Sequence, residues 1–191
     1  MLKVTPPKNG VQMPLSSVVG AQSIVKPGVC TSSTRPAVPF EGQMIYETDT
    51  GNILVRNSSA WVCITPKSSL DETTRTNTAT GWQTPTGAPS VTLQTGTKAL
   101  ITVGGMMVMA STAGYAYFGC SVSGASTIAS STTKAAAIYW NTGDLGNDKT
   151  TSFTYLETGL TAGSNTFTLQ LNGPGSTMTV KQKSITVVGL P

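Results

Sequence analysis

The chain has 191 residues, of which 38% are hydrophobic and only 10% are charged, and it carries a formal net charge of +4. Thr and Ser make up roughly a quarter of the residues, whereas the helix formers Leu, Glu and Lys are scarce, which predicts an all-β protein. Histidine is absent, which excludes Ser-His and Cys-His nucleophile pairs and histidine ligands for zinc.

The remaining catalytic groups are thinly spread carboxylates. The eight acidic residues are Glu41, Glu47, Asp49, Asp71, Glu72, Asp144, Asp148 and Glu157. Paired carboxylates could still meet in space, as a glycosidase requires. Most of these residues fall in predicted turns or loops, where acids are ordinarily solvated. We therefore expect no enzymatic activity and no cofactor, with a depolymerase that uses Asp144 and Asp148 as an alternative.

The cysteines and the termini bear on the compartment. Cys30, Cys63 and Cys120 lack metal-binding spacing, and an odd number cannot form a closed disulfide framework, which favours synthesis in a reducing cytoplasm. The first residues contain no apolar signal region, and no run approaches the roughly eighteen apolar residues of a membrane span. The basic residues are scattered along the chain, so we expect no specific nucleic-acid partner.

Residues 1–38 are predicted to form an extended N-terminal arm. Six of the eleven prolines lie within the first 39 residues, and proline fixes φ and removes a backbone donor. Such a segment is either a disordered leader or an arm that lies on neighbouring subunits. Regularly placed apolar residues, among them Val11, Met13 and Leu15, favour the arm, because contact with another chain would bury them.

Residues 39–65 are predicted to form a three-stranded antiparallel meander with strands at 43–48, 52–57 and 60–64. Gly51 supplies the positive φ that the first hairpin loop needs. A sheet of this size buries too little apolar surface to be stable alone. We therefore expect an attachment or oligomer interface that includes Phe40, Met44, Tyr46, Ile53, Val55 and Trp61.

This segment also resembles a known module. Residues 39–62 read PFEGQMIYETDTGNILVRNSSAWV, a pattern that fixes turn and aromatic positions together. It looks like a module that recurs in structural proteins of tailed bacteriophages, among tail fibres, minor tail proteins and head-associated proteins. The resemblance implies a virion component that is made in the host cytoplasm.

Residues 66–90 are predicted to be a linker anchored by Trp82, and residues 91–191 a β-sandwich or jelly roll of about eight strands. Gly104 and Gly105 mark either a tight turn or one long strand with a bulge. The predicted strands are 99–103, 106–110, 115–122, 135–140, 151–156, 166–172, 178–183 and 184–188. Residues 159–167, followed by a closing Ile-x-Val strand, are similar to the trimeric β-sandwich heads of phage fibres and decoration proteins, which implies a homotrimer.

Two groups of residues are candidate ligand sites. Asn141, Asp144 and Asp148 offer oxygen ligands in one loop, but the full calcium-loop register is missing, and a plain hairpin loop or a receptor-binding loop is expected instead. Tyr115, Tyr117, Tyr139, Trp140 and Tyr155 could form a sugar-stacking platform, although aromatic residues in strands more often pack in the core.

Four functions remain open. The first is a non-enzymatic capsid decoration or head-fibre subunit that attaches through its arm and meander to a major capsid or tail protein. The second is a tail fibre or minor tail protein that binds a host surface glycan. A carbohydrate-binding module of a larger enzyme and the carboxylate depolymerase are the others.

Overall fold

The computed structural model describes residues 27–78 and 80–191, and it confirms the all-β prediction. These residues form thirteen strands and one short 3-10 helix at Thr132–Lys134. Val11, Met13 and Leu15 lie outside the described residues, as does most of the predicted arm. Within the described part of the chain, no helix is long and apolar enough to cross a membrane.

The predicted meander is present as part of a four-stranded sheet, which we call the small sheet. Its strands lie in the order β1-β2-β3-β4. They are β1 (Gly28–Cys30), β2 (Met44–Glu47), β3 (Asn52–Arg56) and β4 (Trp61–Cys63). Gly51 has a φ of +66°, as the hairpin requires. Strand β1 runs parallel to β2 and was not predicted, because three residues after a proline give no periodic signal.

The remaining strands form a β-sandwich of two antiparallel sheets. They are β5 (Lys67–Asp71), β6 (Arg75–Thr78), β7 (Ser90–Thr95), β8 (Lys98–Met109), β9 (Gly114–Gly124), β10 (Ala136–Trp140), β11 (Lys149–Glu157), β12 (Gly163–Asn172) and β13 (Thr177–Leu190). One sheet has the order β10-β9-β12-β7 and the other β11-β8-β13-β5, with β6 also paired to β13. From β7 to β13 the chain changes sheet at every connection except that between β9 and β10, which is the connectivity of a jelly roll.

The eighth strand of the sandwich comes from the segment that the sequence predicted as a linker. Residues 91–191 contain seven strands, and β5 completes the second sheet. The segment reads KSSLDETTRTNT and lacks the apolar alternation of a half-buried strand. Its place is set instead by pairing with β13 and by an ion pair between Asp71 and Lys183.

Gly104 and Gly105 lie within one long strand, β8, so the second of the two predicted alternatives is correct. The irregularity lies in the partner strand, where the register shifts between Val180 and Gln182. A Cβ atom on Gly105 would lie 2.1 Å from the Gln182 carbonyl oxygen. The two segments predicted as separate strands, 178–183 and 184–188, are the two halves of β13.

The small sheet and the sandwich share one cluster of buried apolar residues. Ile45, Leu54, Trp61 and Cys63 belong to the same cluster as the inner faces of both large sheets. A Cβ on Gly189 of β13 would lie 2.6 Å from the Cys63 carbonyl oxygen, so β4 sits directly against the sandwich. The small sheet is thus stabilised in part by the chain's own core, as a sheet of its size requires.

Candidate binding surfaces

Three tyrosines stand together on the outer face of the four-stranded sheet β10-β9-β12-β7. Tyr115 and Tyr117 lie two residues apart on β9, and Tyr139 is the cross-strand partner of Tyr115 on β10. The ring centroids of Tyr115 and Tyr139 are 4.9 Å apart, and those of Tyr115 and Tyr117 are 6.0 Å apart with nearly parallel planes. Tyr115 and Tyr139 are 55% and 51% exposed, so both rings are open to solvent.

Trp82 extends this row of rings. Its ring centroid lies 6.2 Å from that of Tyr117, and a Cβ on Gly119 would lie 2.5 Å from the indole. Strand β9 therefore needs glycine at this position, so that the indole can lie against the backbone. Trp82, the expected anchor of this segment, thus packs against β9. We call Tyr115, Tyr117, Tyr139 and Trp82 the aromatic face.

The other two aromatic residues considered in the sequence lie elsewhere. Trp140 is fully buried in the core. Tyr155 is half-buried and stacks on Phe153 of β11, with ring centroids 5.9 Å apart. Of the five residues considered for a sugar-stacking platform, the structure thus brings three together, namely Tyr115, Tyr117 and Tyr139. Trp82 was not predicted as a member of this group, because its loop gives no strand periodicity.

The loop 141–148 lies beside Tyr139 and is held by its own side chains. The Asn141 side-chain oxygen accepts hydrogen bonds from the Gly143 and Asp144 amides, at 2.8 and 3.0 Å. Asp144 pairs with Lys149 at 2.7 Å, which holds the pKa of the Asp144 carboxyl below its usual value. Asp148 pairs with Lys181 at 2.7 Å. Among the described residues, no group of three or more acidic or cysteine side chains could hold a metal ion.

An apolar row crosses the small sheet on the face opposite Ile45 and Leu54. Val29, Tyr46 and Ile53 are consecutive partners across β1, β2 and β3, and all three side chains are exposed. Phe40 is also exposed, and Met44 and Val55 are half-buried. Trp61, by contrast, packs in the core. Tyr46 and Ile53 therefore remain available to a partner, whereas Trp61 does not.

The outer face of the five-stranded sheet is aliphatic and uncharged along its middle. Leu156 of β11 is the partner of Leu100 on β8, which in turn faces Val188 on β13. Thr154 and Thr102 form the next pair, and their hydroxyl oxygens are 2.8 Å apart. Leu100 and Leu156 are exposed. We call Leu100, Leu156, Thr102 and Thr154 the leucine-threonine face.

A cavity of about 240 Å³ opens between β9, β11 and the 3-10 helix, and its ionisable groups are poorly suited to catalysis. Burial raises the pKa of the Cys120 thiol to about 12 and also raises the pKa of Tyr155, so both groups are protonated at neutral pH. Glu157 is buried, but its hydrogen bond from Lys134, at 2.8 Å, and those from the Gly159 and Thr158 amides outweigh the effect of burial and lower its pKa. The cavity offers neither a thiolate nucleophile nor a carboxylic acid poised near neutral pH.

No family model and no curated protein matches the chain. A solved structure of infectious bursal disease virus, Gx strain, is similar with a TM-score of 0.36 and 9% identity, over 73% of this chain and 42% of that chain. The xylan-binding domain CBM22-1 of Xyn10C from Paenibacillus barcinonensis is similar with a TM-score of 0.31 and 11% identity, over 65% of this chain and 95% of that domain. This chain thus spans less than half of the viral chain. At these values neither likeness carries an argument about function.

Proposed function

We propose that the chain is a structural protein of a bacteriophage virion, a surface-exposed homotrimeric subunit that decorates the capsid or forms a head fibre. It attaches through its N-terminal arm and the small sheet to the major capsid protein or another virion protein, and the sandwich faces solvent. The role is structural and needs no catalysis. The phage-like pattern of residues 39–62 motivates this proposal.

The structural support for this attachment lies at strand β1. Residues 1–26 lead directly into β1, and Val29 of β1 is the first residue of the apolar row that continues through Tyr46 and Ile53. Val29 is 62% exposed although it lies in the middle of a three-residue strand. Exposed apolar patches commonly mark protein contacts, and this row begins at the strand that follows the predicted arm in the sequence.

The leucine-threonine face supports self-association. Depletion of charge and the presence of aliphatic side chains are typical of the central parts of subunit interfaces. In a closed three-fold ring this face would contact a different surface of the neighbouring subunit, because the contacts within such rings are heterologous. The number three comes from the resemblance to trimeric phage heads and is part of the proposal.

The attachment is tested on particles. We expect the chain in stoichiometric amount, by mass spectrometry, in purified particles of the phage that encodes it, and electron microscopy should locate it on the capsid surface. Replacing Tyr46 and Ile53 with Lys should reduce its occupancy by about tenfold or more, because charge would be buried in the contact. Thr127→Lys, an exposed change elsewhere, should leave occupancy unchanged. Particles that lack the protein would refute the proposal.

Self-association is tested by light scattering. The purified protein should have a mass about three times that of the chain, and Leu100→Lys with Leu156→Lys should reduce this mass toward that of the monomer. The Thr127→Lys variant again serves as the control. A wild-type protein that stays monomeric at high concentration contradicts the oligomeric part of the proposal.

A second candidate is a tail fibre or minor tail protein that binds a host surface glycan. The aromatic face is the specific observation that favours this role, since solvent-exposed rings in a row do not stabilise the core. Location at the tail in the same reconstruction, together with binding of the labelled protein to host cells, would favour this alternative over capsid decoration. The loop with Asn141, Asp144 and Asp148 lies at the Tyr139 end of the aromatic face and would border the ligand.

A further inference from the structure

Four aromatic rings lie side by side on the aromatic face, where Tyr115 and Tyr139 are exposed and Tyr117 and Trp82 are half-buried. From Tyr139 through Tyr115 and Tyr117 to Trp82, successive centroids are separated by 4.9, 6.0 and 6.2 Å. The row crosses from β10 to β9 between Tyr139 and Tyr115, then follows β9 to Tyr117 and ends at the segment that covers Gly119. We propose that this face binds a neutral polysaccharide chain lying along the row of rings.

The rings are held in place before any ligand arrives. The backbone of Gln83 exchanges two hydrogen bonds with that of Leu171, both 2.9 Å, and the Gln170 side chain donates to the Thr84 hydroxyl at 2.6 Å. These contacts fix the segment that carries Trp82 to β12. The tyrosines project from strands, whose backbone is rigid. A preformed arrangement of rings lowers the entropy that a ligand must lose on binding.

The distribution of charge selects the class of ligand. The outward residues around the rings are uncharged and include Ala137, Asn172, Thr168 and Ser121. At the Tyr139 end, Lys149 donates to the Tyr139 carbonyl at 2.8 Å, but its charge is paired with Asp144. Proteins that stack nucleic-acid bases combine aromatic rings with a positively charged groove, which this face lacks. An acidic polysaccharide would likewise find no cationic partner here.

A neutral sugar chain is the ligand class that fits both the aromatic rings and their uncharged surroundings. One side of a hexose ring presents C–H groups that pack on an aromatic ring, and its hydroxyls bond at the rim to groups such as the tyrosine hydroxyls and the Asn172 amide. Binding sites for small ligands commonly combine apolar or aromatic walls with a few polar groups in this way. Several rings in a row would engage several successive sugars.

The test is a glycan array that carries neutral hexose and N-acetylhexosamine polymers, uronic-acid polymers and single-stranded oligodeoxythymidine. We expect binding to at least one neutral polymer, quantified by affinity electrophoresis. Tyr115→Ala with Tyr139→Ala should weaken it by about tenfold or more, by analogy with the loss of base-stacking rings. Tyr115→Phe with Tyr139→Phe should retain most of the binding because the rings remain.

Thr127→Lys is the control, since it changes an exposed residue that lies off the aromatic face and should leave the affinity unchanged. Thermal unfolding of each variant verifies the fold. Binding to no neutral polymer, equal binding by the double alanine variant, or binding only to polyanions would each overturn the proposal. The assay uses the purified protein alone, so its outcome is independent of whether the protein is found in virions.

Discussion

Lys183 on β13 and Asp71 on β5 form an ion pair of 3.0 Å in which the lysine side chain is completely buried. The ammonium group also donates to the Thr73 carbonyl at 3.1 Å, and Arg75 contacts the same carboxylate at 3.3 Å. This cluster closes the edge of the five-stranded sheet, where β5 and β6 follow each other along β13. The ion pairs of this cluster explain how the polar segment that contains β5 and β6 becomes part of the sandwich.

The two halves of this pair should respond unequally to mutation. Asp71→Asn leaves a buried ammonium without its counter-ion, which is strongly unfavourable. Lys183→Met removes that charge, and Asp71 keeps Arg75 as a partner, so the cost should be much smaller. We expect a clearly larger fall in Tm for Asp71→Asn than for Lys183→Met, measured by circular dichroism. Equal losses would show that pairing is not what holds β5.

The same carboxyl makes stability sensitive to acid. The Thr73 amide and the Lys183 ammonium hold the pKa of Asp71 far below its usual range. The unfolded chain therefore takes up a proton first, near pH 4, and the stabilisation that is present above this pH is lost as the pH falls below it. The difference in Tm between wild type and Asp71→Asn should therefore shrink from about pH 4 downward. Thermal melts between about pH 7 and pH 2 measure it, and a constant difference would contradict the assignment.

The small sheet should unfold together with the sandwich. Leu54 is buried in the shared cluster, whereas its neighbour Ile53 is exposed on the other face. Leu54→Ala should lower the free energy of unfolding by about 2–5 kcal/mol, and Ile53→Ala by less than about 1 kcal/mol. Urea unfolding followed by tryptophan fluorescence and by circular dichroism should give coincident transitions. Two separate transitions would mean that the small sheet folds as its own unit.

Gly105 should tolerate no side chain. A Cβ there would lie 2.1 Å from the Gln182 carbonyl oxygen and 2.7 Å from the Phe118 ring, and both neighbours are held within the sheets. Gly105→Ala should therefore destabilise the protein by about 1–3 kcal/mol or prevent folding, as overpacking does. At Gly81 nothing lies within 4 Å of the added Cβ, so Gly81→Ala should be close to neutral. Chemical denaturation of both variants compares them, and similar stabilities would contradict the close packing at the bulge.

Several features were predictable because they depend on local chemistry. Turn residues such as Gly51 and the alternation from 166 to 172 place strands correctly without tertiary information. In the small sheet, the alternation of residues along a strand does not identify which face is buried. Ile45 and Tyr46 are both apolar, so either face could have been the buried one, and only packing against the sandwich selects Ile45. The strands β5 and β6 depend on partners 99 to 120 residues away, which no local pattern reveals.

The aromatic face was predicted only in part for a related reason. Ala116 and Phe118 alternate with Tyr115 and Tyr117 on β9, and the sequence cannot rank which pair faces the core. Trp82 joins the tyrosines because Gly119 leaves room for it, a contact between distant segments. The individual rings could thus be listed from the sequence, but their arrangement side by side on one face could not.

The position of β13 has a consequence for biosynthesis. This strand, Thr177–Leu190, pairs with β8 on one side and with β5 and β6 on the other, so it forms the middle of its sheet. A nascent chain that has not reached these residues presents β8 and β5 as unpaired edges and leaves Ile101 and Val103 uncovered. Folding of the sandwich therefore waits until Thr177–Leu190 has left the ribosome, and chains that end before this strand expose apolar strands that quality-control proteases and chaperones can recognise.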